Sequence, residues 1–499
     1  EEPDPGRRDL RDQRVVTIDP EGAKDHDDAI AVAAAEGGAT RLWVHIADVS
    51  RFVSAAGALD REAARRGCSV YVPGMVTPML PARLSSDLCS LRAGVDRAVV
   101  TVEMVVAPDG AIGETRFSRS LIRSERALTY AEADAVLGGG GIGDPGMEAD
   151  IRRTGAVAEA LRARRQARGA LGANSPEPVV SFEGDRVVAI RLEGQTPAHS
   201  LVEECMIAAN EAVARHLIAR GTPTVFRHHE DPAEARIGLL YEQLDALGVA
   251  TPPLPDGPLG GPERRAAAAA AAAAVARHLA AGGPGGDALW SLVLRTLRQA
   301  HYSAGEVGHS GLASPAYLHF TSPIRRYPDL LVHRGLLDSL GLGPPGPGPS
   351  ELAAEADHSS ATEREAATLE RRADDICAAF WLRDRLTHDD WDAPVAGRVT
   401  GLIDAGLFVT FDEVFTGFLP SRRLEDDHYR ADPLGVFLVG ASTGRRIRMG
   451  DEIHARVVRI EPLRGRIELE PAGARSALGA TTARSAARGR RGRAGARPR

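Results

Sequence analysis

The stretch from Thr17 to Ile30 constrains this chain more than any other. Asp19, Asp25, Asp27 and Asp28 fall within ten residues, between the apolar run Val15-Val16-Thr17-Ile18 and a second one opening at Ala29-Ile30. Carboxylates this dense repel one another, and a site at the edge of a core cannot hold them ionised without a cation. A metal is the natural compensation. Oxygen donors with no Cys and few His favour magnesium or manganese, and two such ions about 3.5–4 Å apart are the usual device for hydrolysing a phosphodiester. The competing readings are a solvated acidic turn and a structural calcium loop, although the spacing does not match an EF-hand.

Around this segment the sequence reads as an α+β protein. Its 499 residues call for a large body with one or two appendages. Residues 15–110 alternate short apolar runs with turns and predict strands; 150–168, 200–220 and 351–388 carry helical spacing. Pro/Gly-rich stretches at 251–262, 282–286 and 341–349 are expected as loops. The alanine run 266–274 is expected as a helix of no chemical interest. After Asp392 the pattern changes to short strands at 395–400, 407–411, 416–419, 452–460 and 466–469, which suggests a small OB-type barrel. The expected division is a catalytic body at 1–390, the barrel at 391–472 and a basic, disordered tail at 473–499.

Composition adds exclusions. No apolar run reaches membrane-spanning length, so no membrane partner is expected. Four separated cysteines, with no CxxC pair, argue against a zinc ribbon or a disulfide framework and fit a reducing cytoplasm. The chain opens Glu-Glu-Pro-Asp without a basic-then-apolar leader, so we expect no signal peptide and allow for an upstream portion. The net charge of −7 would be −15 without the eight arginines after residue 470, a pattern that suits either a polyanion partner or a solubilising tail. With 60 arginines to one lysine, Lys24, arginine counts are weak evidence.

A second segment, Phe320-Thr321-Ser322-Pro323-Ile324-Arg325-Arg326-Tyr327-Pro328-Asp329-Leu330, sets two arginines between prolines. A rigidly held guanidinium can grip a phosphate and stabilise charge during its displacement. A salt-bridged loop is the plainer alternative.

Together the two segments resemble the ribonuclease II and ribonuclease R (RNB) family of exoribonucleases. Further matching segments include Trp43 to Val49, Leu59 to Ala63, Arg66 to Tyr71, Met79 to Pro81, Leu88 to Leu91 and Val202 to Asn210, in order. The resemblance runs from residue 10 to about residue 470, nearer to the ribonuclease R branch. It implies magnesium-dependent hydrolysis of single-stranded RNA from its 3' end, releasing nucleoside 5'-monophosphates. It also implies a metal site of Asp19, Asp25, Asp27 and Asp28, catalytic roles for Asp27, Asp28 and Arg325, and RNA contacts from Tyr71, Glu203, Arg325 and Arg326. Asp27 would in addition hold the terminal ribose hydroxyl. Tyr71 would stack on the last base, or else be a core aromatic; Glu203 would line the site, steering Arg325 or the terminal nucleotide, or else lie on a helix surface beside Glu204. The family's clamping phenylalanine aligns with Ala173, which puts the base clamp and the final product length in question, and its paired N-terminal cold-shock domains have no counterpart in the sequence.

The barrel segment resembles an S1-type OB-fold, in which aromatic residues stack on bases. Of Phe408, Phe411, Phe415 and Phe418, the alternation points to Phe408 and Phe418 as exposed, with His428 assisting. His45, His228, His229, His301 and His309 read as structural or loop residues. No Walker loop or strand-helix GxGxxG appears, so no dinucleotide cofactor is expected. The function expected is a cytoplasmic, monomeric 3'-to-5' exoribonuclease. The alternatives are an RNA-binding protein with an inactive nuclease fold and a dedicated trimmer of transfer or ribosomal RNA ends.

Overall fold

The computed structural model describes residues 6–172, 176–388, 390–424 and 427–472. Ala173 and the basic tail lie outside them. A seven-stranded sheet organises the body, in the spatial order Arg8–Asp9, Ile112–Arg123, Asp96–Val106, Thr40–Ala47, Asp28–Ala34, Val16–Asp19, Arg126–Thr129. The central strands are Val- and Ile-rich, which suits burial on both faces.

One irregularity positions the acidic segment. Strands Val16–Asp19 and Asp28–Ala34 pair antiparallel only at Val16↔Ile30, and Val16–Asp19 then follows Arg126–Thr129 in parallel, with Asp19 opposite Thr129. Asp19 and Asp28 therefore sit on strands that have parted. The loop between them is tied down at its far end, where the Ala47 N–H donates to the Asp27 carbonyl at 2.9 Å and the Leu91 N–H to the His26 carbonyl at 3.0 Å.

Helices Pro145–Ala167, Pro197–Arg220 and Tyr327–Ser339 bury their apolar faces in a common core with the sheet. Helix Pro197–Arg220 starts with Thr196 as N-cap and Pro197 in its first turn, and ends at Gly221 in the left-handed conformation, φ 63°. The long helix Pro349–His388 runs past the hairpin Val70–Val72/Met75–Thr77 and on to the barrel.

The barrel is closed, in the order Val395–Ile403, Gly406–Phe411, Phe415–Pro420, Arg466–Pro471, Glu452–Glu461. It is not packed as a free appendage. Val399, Leu407, Phe411, Phe415 and Leu419 share one core with Leu240 and Leu244, with Ala271 and Val275, with Leu289 and Leu292, and with Leu382 and Leu386 of the long helix. The alanine run belongs to helix Gly261–Ala280, whose small side chains contribute to this junction and to the adjoining cluster around Ala267 and Ala268. Helix formation starts at Gly261, inside the stretch expected as loop, with Pro262 in its first turn where a missing N–H costs nothing. A three-stranded sheet, Tyr429–Ala431, Phe437–Gly440 and Arg446–Arg448, interrupts the barrel sequence and was not expected. Among the described residues no helix is long and apolar enough to cross a membrane.

Candidate active site

A cavity of about 910 Å3 opens at the parted strands, lined by Asp19, Asp25, Asp27 and Asp28 from one side and by Arg325 and Arg326 from another. Two segments far apart in sequence therefore meet across one space.

Asp27 is the junction. It is only 3% exposed. Its Oδ1 accepts from the Ile324 N–H at 2.8 Å, and its Oδ2 lies 3.3 Å from Arg325 Nε while accepting no hydrogen bond. Burial pushes the Asp27 carboxyl well above the usual carboxylate range, although Arg325 and the Ile324 N–H pull the other way. Asp28 is pushed up to about 7, by burial first and then by the Asp19 charge. Asp19 Oδ2 lies 2.6 Å from His26 Nδ1, and that bond raises the imidazole above its ordinary value. Asp25 accepts from the Tyr71 hydroxyl at 2.8 Å.

The donor chemistry fits a hard divalent cation. The oxygens are carboxylate, one on Asp27 is buried without a hydrogen bond, and Asp28 is opposed by Asp19. Among the described residues no three His, Cys, Asp or Glu side chains converge as a ready-made ligand set, Asp19 being turned to His26 and Asp25 to Tyr71.

The arginine loop is fastened through its backbone. The Ser69 N–H donates to the Arg325 carbonyl and the Tyr327 N–H to the Gly67 carbonyl, both at 2.9 Å. Gly67 also lets the long helix come close, because its φ is 71° and a Cβ there would run into the Thr362 side chain. The two arginines then part in role. Arg325 gives Nη2 to Ser322 Oγ at 3.2 Å and keeps its side chain 47% exposed toward the cavity. Arg326 grips the buried Asp329 with two nitrogens, at 2.8 and 3.0 Å, and Asp329 also accepts from the Ser322 N–H. Arg326 lines the cavity while holding the loop's shape, so the salt-bridged alternative describes its contacts.

Tyr71 stands on the hairpin at the cavity wall, 37% exposed as a residue, and its N–H donates to Glu370 Oε1 of the long helix at 2.8 Å. It is not a core aromatic. Glu203 lines the cavity, whereas Glu204 is buried against Arg165. Arg165 is the cation near Glu203, at 3.9 Å, and burial raises the Glu203 carboxyl.

Four cavity residues were not singled out in the sequence. Tyr130 opens a helix behind the Thr129/Glu132 capping box and stacks on His199 at 3.7 Å between centroids. The capping box was the available signal. Asn210 donates to the Tyr317 hydroxyl at 3.1 Å and accepts from the Phe320 N–H at 2.9 Å, and His319 accompanies them. No local pattern announces these, since long-range packing gathers them.

On the barrel, Phe411 and Phe415 are core, while Phe408 and Phe418 face outward as a cross-strand pair with centroids 5.2 Å apart. Thr400, Thr410 and Thr416 hydrogen-bond in series beside them. His428 is exposed, ahead of the inserted sheet. The remaining histidines support loops or core. His229 packs on His309, donates to the Arg298 carbonyl from Nε2 and accepts from the Gly311 N–H; His228 packs on His301; His45 is fully buried beside Thr101.

Comparison with known proteins matches residues 7–341 to the RNB domain and residues 392–470 to the S1 RNA binding domain. Ribonuclease R of Aquifex aeolicus (strain VF5) is 36% identical over 476 residues, covering 93% of this chain and 64% of the relative. Ribonuclease R of Escherichia coli (strain K12) is 35% identical over 479 residues, covering 92% and 56%. The chain thus spans between half and two thirds of the length of these relatives. The structure of Mycoplasma genitalium RNase R in complex with ribose methylated single-stranded RNA is similar at a TM-score of 0.83, with 28% identity over 93% of this chain and 72% of that one.

Proposed function

The chain belongs to the RNB domain family, and from that premise we propose that it is a hydrolytic exoribonuclease, removing nucleoside 5'-monophosphates one at a time from the 3' end of single-stranded RNA. The observation that carries this reading is the meeting of the four-aspartate loop with Arg325 in one cavity, fixed through both oxygens of Asp27.

Asp19, Asp25, Asp27 and Asp28 would hold magnesium, for which manganese could substitute. Bound there, the cation supplies positive charge to the scissile phosphate and acidifies a water. The rest falls to side chains of this chain. A water oxygen bonds to the terminal phosphorus as the bond to the preceding nucleotide's 3' oxygen breaks; a water proton passes to that oxygen to give a new 3' hydroxyl, and the phosphate stays on the 5' oxygen of the released nucleotide. Arg325 reaches the phosphate and stabilises charge that grows in the transition state. Asp27 holds the terminal ribose hydroxyl, Tyr71 offers its exposed ring to the last base, and Glu203 and Arg326 line the path. Phe408 and Phe418, with His428 at the rim, stack on bases farther upstream.

In this reading residues 1–390 do the chemistry, residues 391–472 bind RNA and the arginine tail adds phosphate contacts. The protein works in the cytoplasm as a monomer, without a membrane or a dinucleotide cofactor. An inactive RNA-binding protein is disfavoured because all four aspartates are present.

The test is a 5'-labelled single-stranded RNA incubated with the protein and magnesium. A descending ladder is expected, lost on chelation, with an all-DNA oligomer of the same sequence left intact. Internal fragments, or equal rates on DNA and RNA, would overturn the proposal.

A further inference from the structure

Arg164, Arg165 and Arg168, at the end of helix Pro145–Ala167, face Arg215 of helix Pro197–Arg220 across a separate cavity of about 170 Å3. Two buried carboxylates on its wall organise these cations. Arg165 Nη2 lies 2.5 Å from Glu204 Oε1, and Glu211 takes Arg168 Nη2 at 2.8 Å and Arg215 Nη1 at 3.5 Å. Among the described residues Arg164 reaches only the exposed Asp109, at 3.4 Å. Four guanidinium groups face two carboxylates on the pocket wall, while Asp109 beside Arg164 and Glu203 beside Arg165 lie off it, so the wall itself is positive. Arg164, Arg168 and Arg215 each commit a single nitrogen to a carboxylate among the described residues, so most of each donor fork is available. The last carbonyls of the helix are already capped, by the N–H groups of Arg168, Gly169 and Ala170.

We propose that this pocket is a second, non-catalytic site for a phosphate monoester, and that its ligand is a nucleoside 5'-monophosphate. Charge and size select this class. A monoester carries about −1.5 to −2 at neutral pH and presents three acceptor oxygens, which suits several arginine forks at once. A phosphodiester carries one charge and offers only two free oxygens. Leu161 and Ala208, both buried in the main core, are the apolar part of its lining.

The site adjoins the larger cavity. Ile207 lines both, and Arg165 stands between Glu204 on the pocket wall and Glu203 on the cavity wall, 3.9 Å from the latter. A phosphate drawing on Arg165 loosens its hold on Glu203, so the pocket senses the product that the neighbouring cavity would release. This last step rests on the proposed exonuclease reading; the binding site does not.

Isothermal titration of AMP and of inorganic phosphate into the full chain, with chelator present, tests the site. Arg164→Gln/Arg215→Gln is the diagnostic variant: both side chains are 48% exposed and Glu211 retains Arg168, so folding is preserved. One AMP per chain is expected, at least tenfold weaker in the double variant and unchanged in Asp28→Asn. Equal AMP affinity in wild type and the double variant would overturn the site. Inorganic phosphate binding as tightly as AMP would overturn the nucleotide assignment. A protein that yields no RNA ladder yet binds AMP through these arginines keeps the pocket and loses the exonuclease reading.

Discussion

The acidic loop of the body and the aromatic pair of the barrel solve opposite problems. In the loop, like charges are pressed into a poorly solvated wall, with Asp27 and Asp28 both pushed toward protonation. On the barrel, Phe408 is 40% exposed beside Phe418, and the neighbouring threonines satisfy one another. The first arrangement works against stability unless a cation offsets the charge, as the proposed function requires. The second costs the fold little, because isolated apolar rings are normal on protein surfaces. Residues for chemistry should therefore be coupled to stability, and residues for binding should not.

Asp28→Asn should give the largest effect. The substitution keeps shape, removes a repelling charge and weakens a metal ligand. Turnover should fall by several orders of magnitude, the melting temperature without metal should rise and RNA affinity should persist. Retention of more than about a tenth of the rate, a barrier change of only about 1.4 kcal/mol, would remove Asp28 from the site. Next in size is Phe408→Ala. Loss of one stacking surface is worth about 1–3 kcal/mol, so RNA affinity should drop about 5- to 160-fold with an unchanged melting temperature. A fall in stability instead would make Phe408 part of the packing. Point changes are the right instrument here, since the barrel's core continues into three helices and the end of the long one, and deleting it would expose Leu289, Leu292 and Leu382.

The smallest effect concerns histidine in the body. Burial lowers His45 to about 3, against an ordinary value of 6.5. Between those values the unfolded chain binds a proton that the folded chain does not, so stability is present above 6.5 and lost as pH falls through that window. At pH 5.5 the loss relative to pH 7.5 is about 1.4 kcal/mol for this one group. Buried His309, also lowered to about 3, acts in the same direction. Asp28, raised to about 7, gains stability in the same window, so the check is the urea midpoint at both pH values in wild type beside His45→Asn; a pH-induced change no different in the variant would show that His45 is charged in the fold.

Sequence made the candidate site legible wherever its residues were local. Four aspartates in one loop, two arginines between prolines, and alternation sending Phe408 and Phe418 out while Phe411 and Phe415 turn in are all short-range patterns. What it hid is long-range. Nothing near Asn210 or Tyr317 indicates that they share the cavity wall with Asp19, and only the structure separates Glu203 from Glu204. The inserted strands, three or four residues each, were too short for a period to register. Arg326 illustrates the limit of residue type, since its partner Asp329 decides that it holds the loop.

The central claim is that chemistry and upstream binding reside in separate places. Single-turnover cleavage at saturating RNA, measured beside RNA affinity for wild type, Asp28→Asn, Phe408→Ala/Phe418→Ala and the combination, tests it. The account predicts that Asp28→Asn lowers only the saturating rate, that the phenylalanine pair lowers only the affinity, and that the combined effects add to within about 0.5 kcal/mol. A phenylalanine variant whose saturating rate collapses along with its affinity would contradict it.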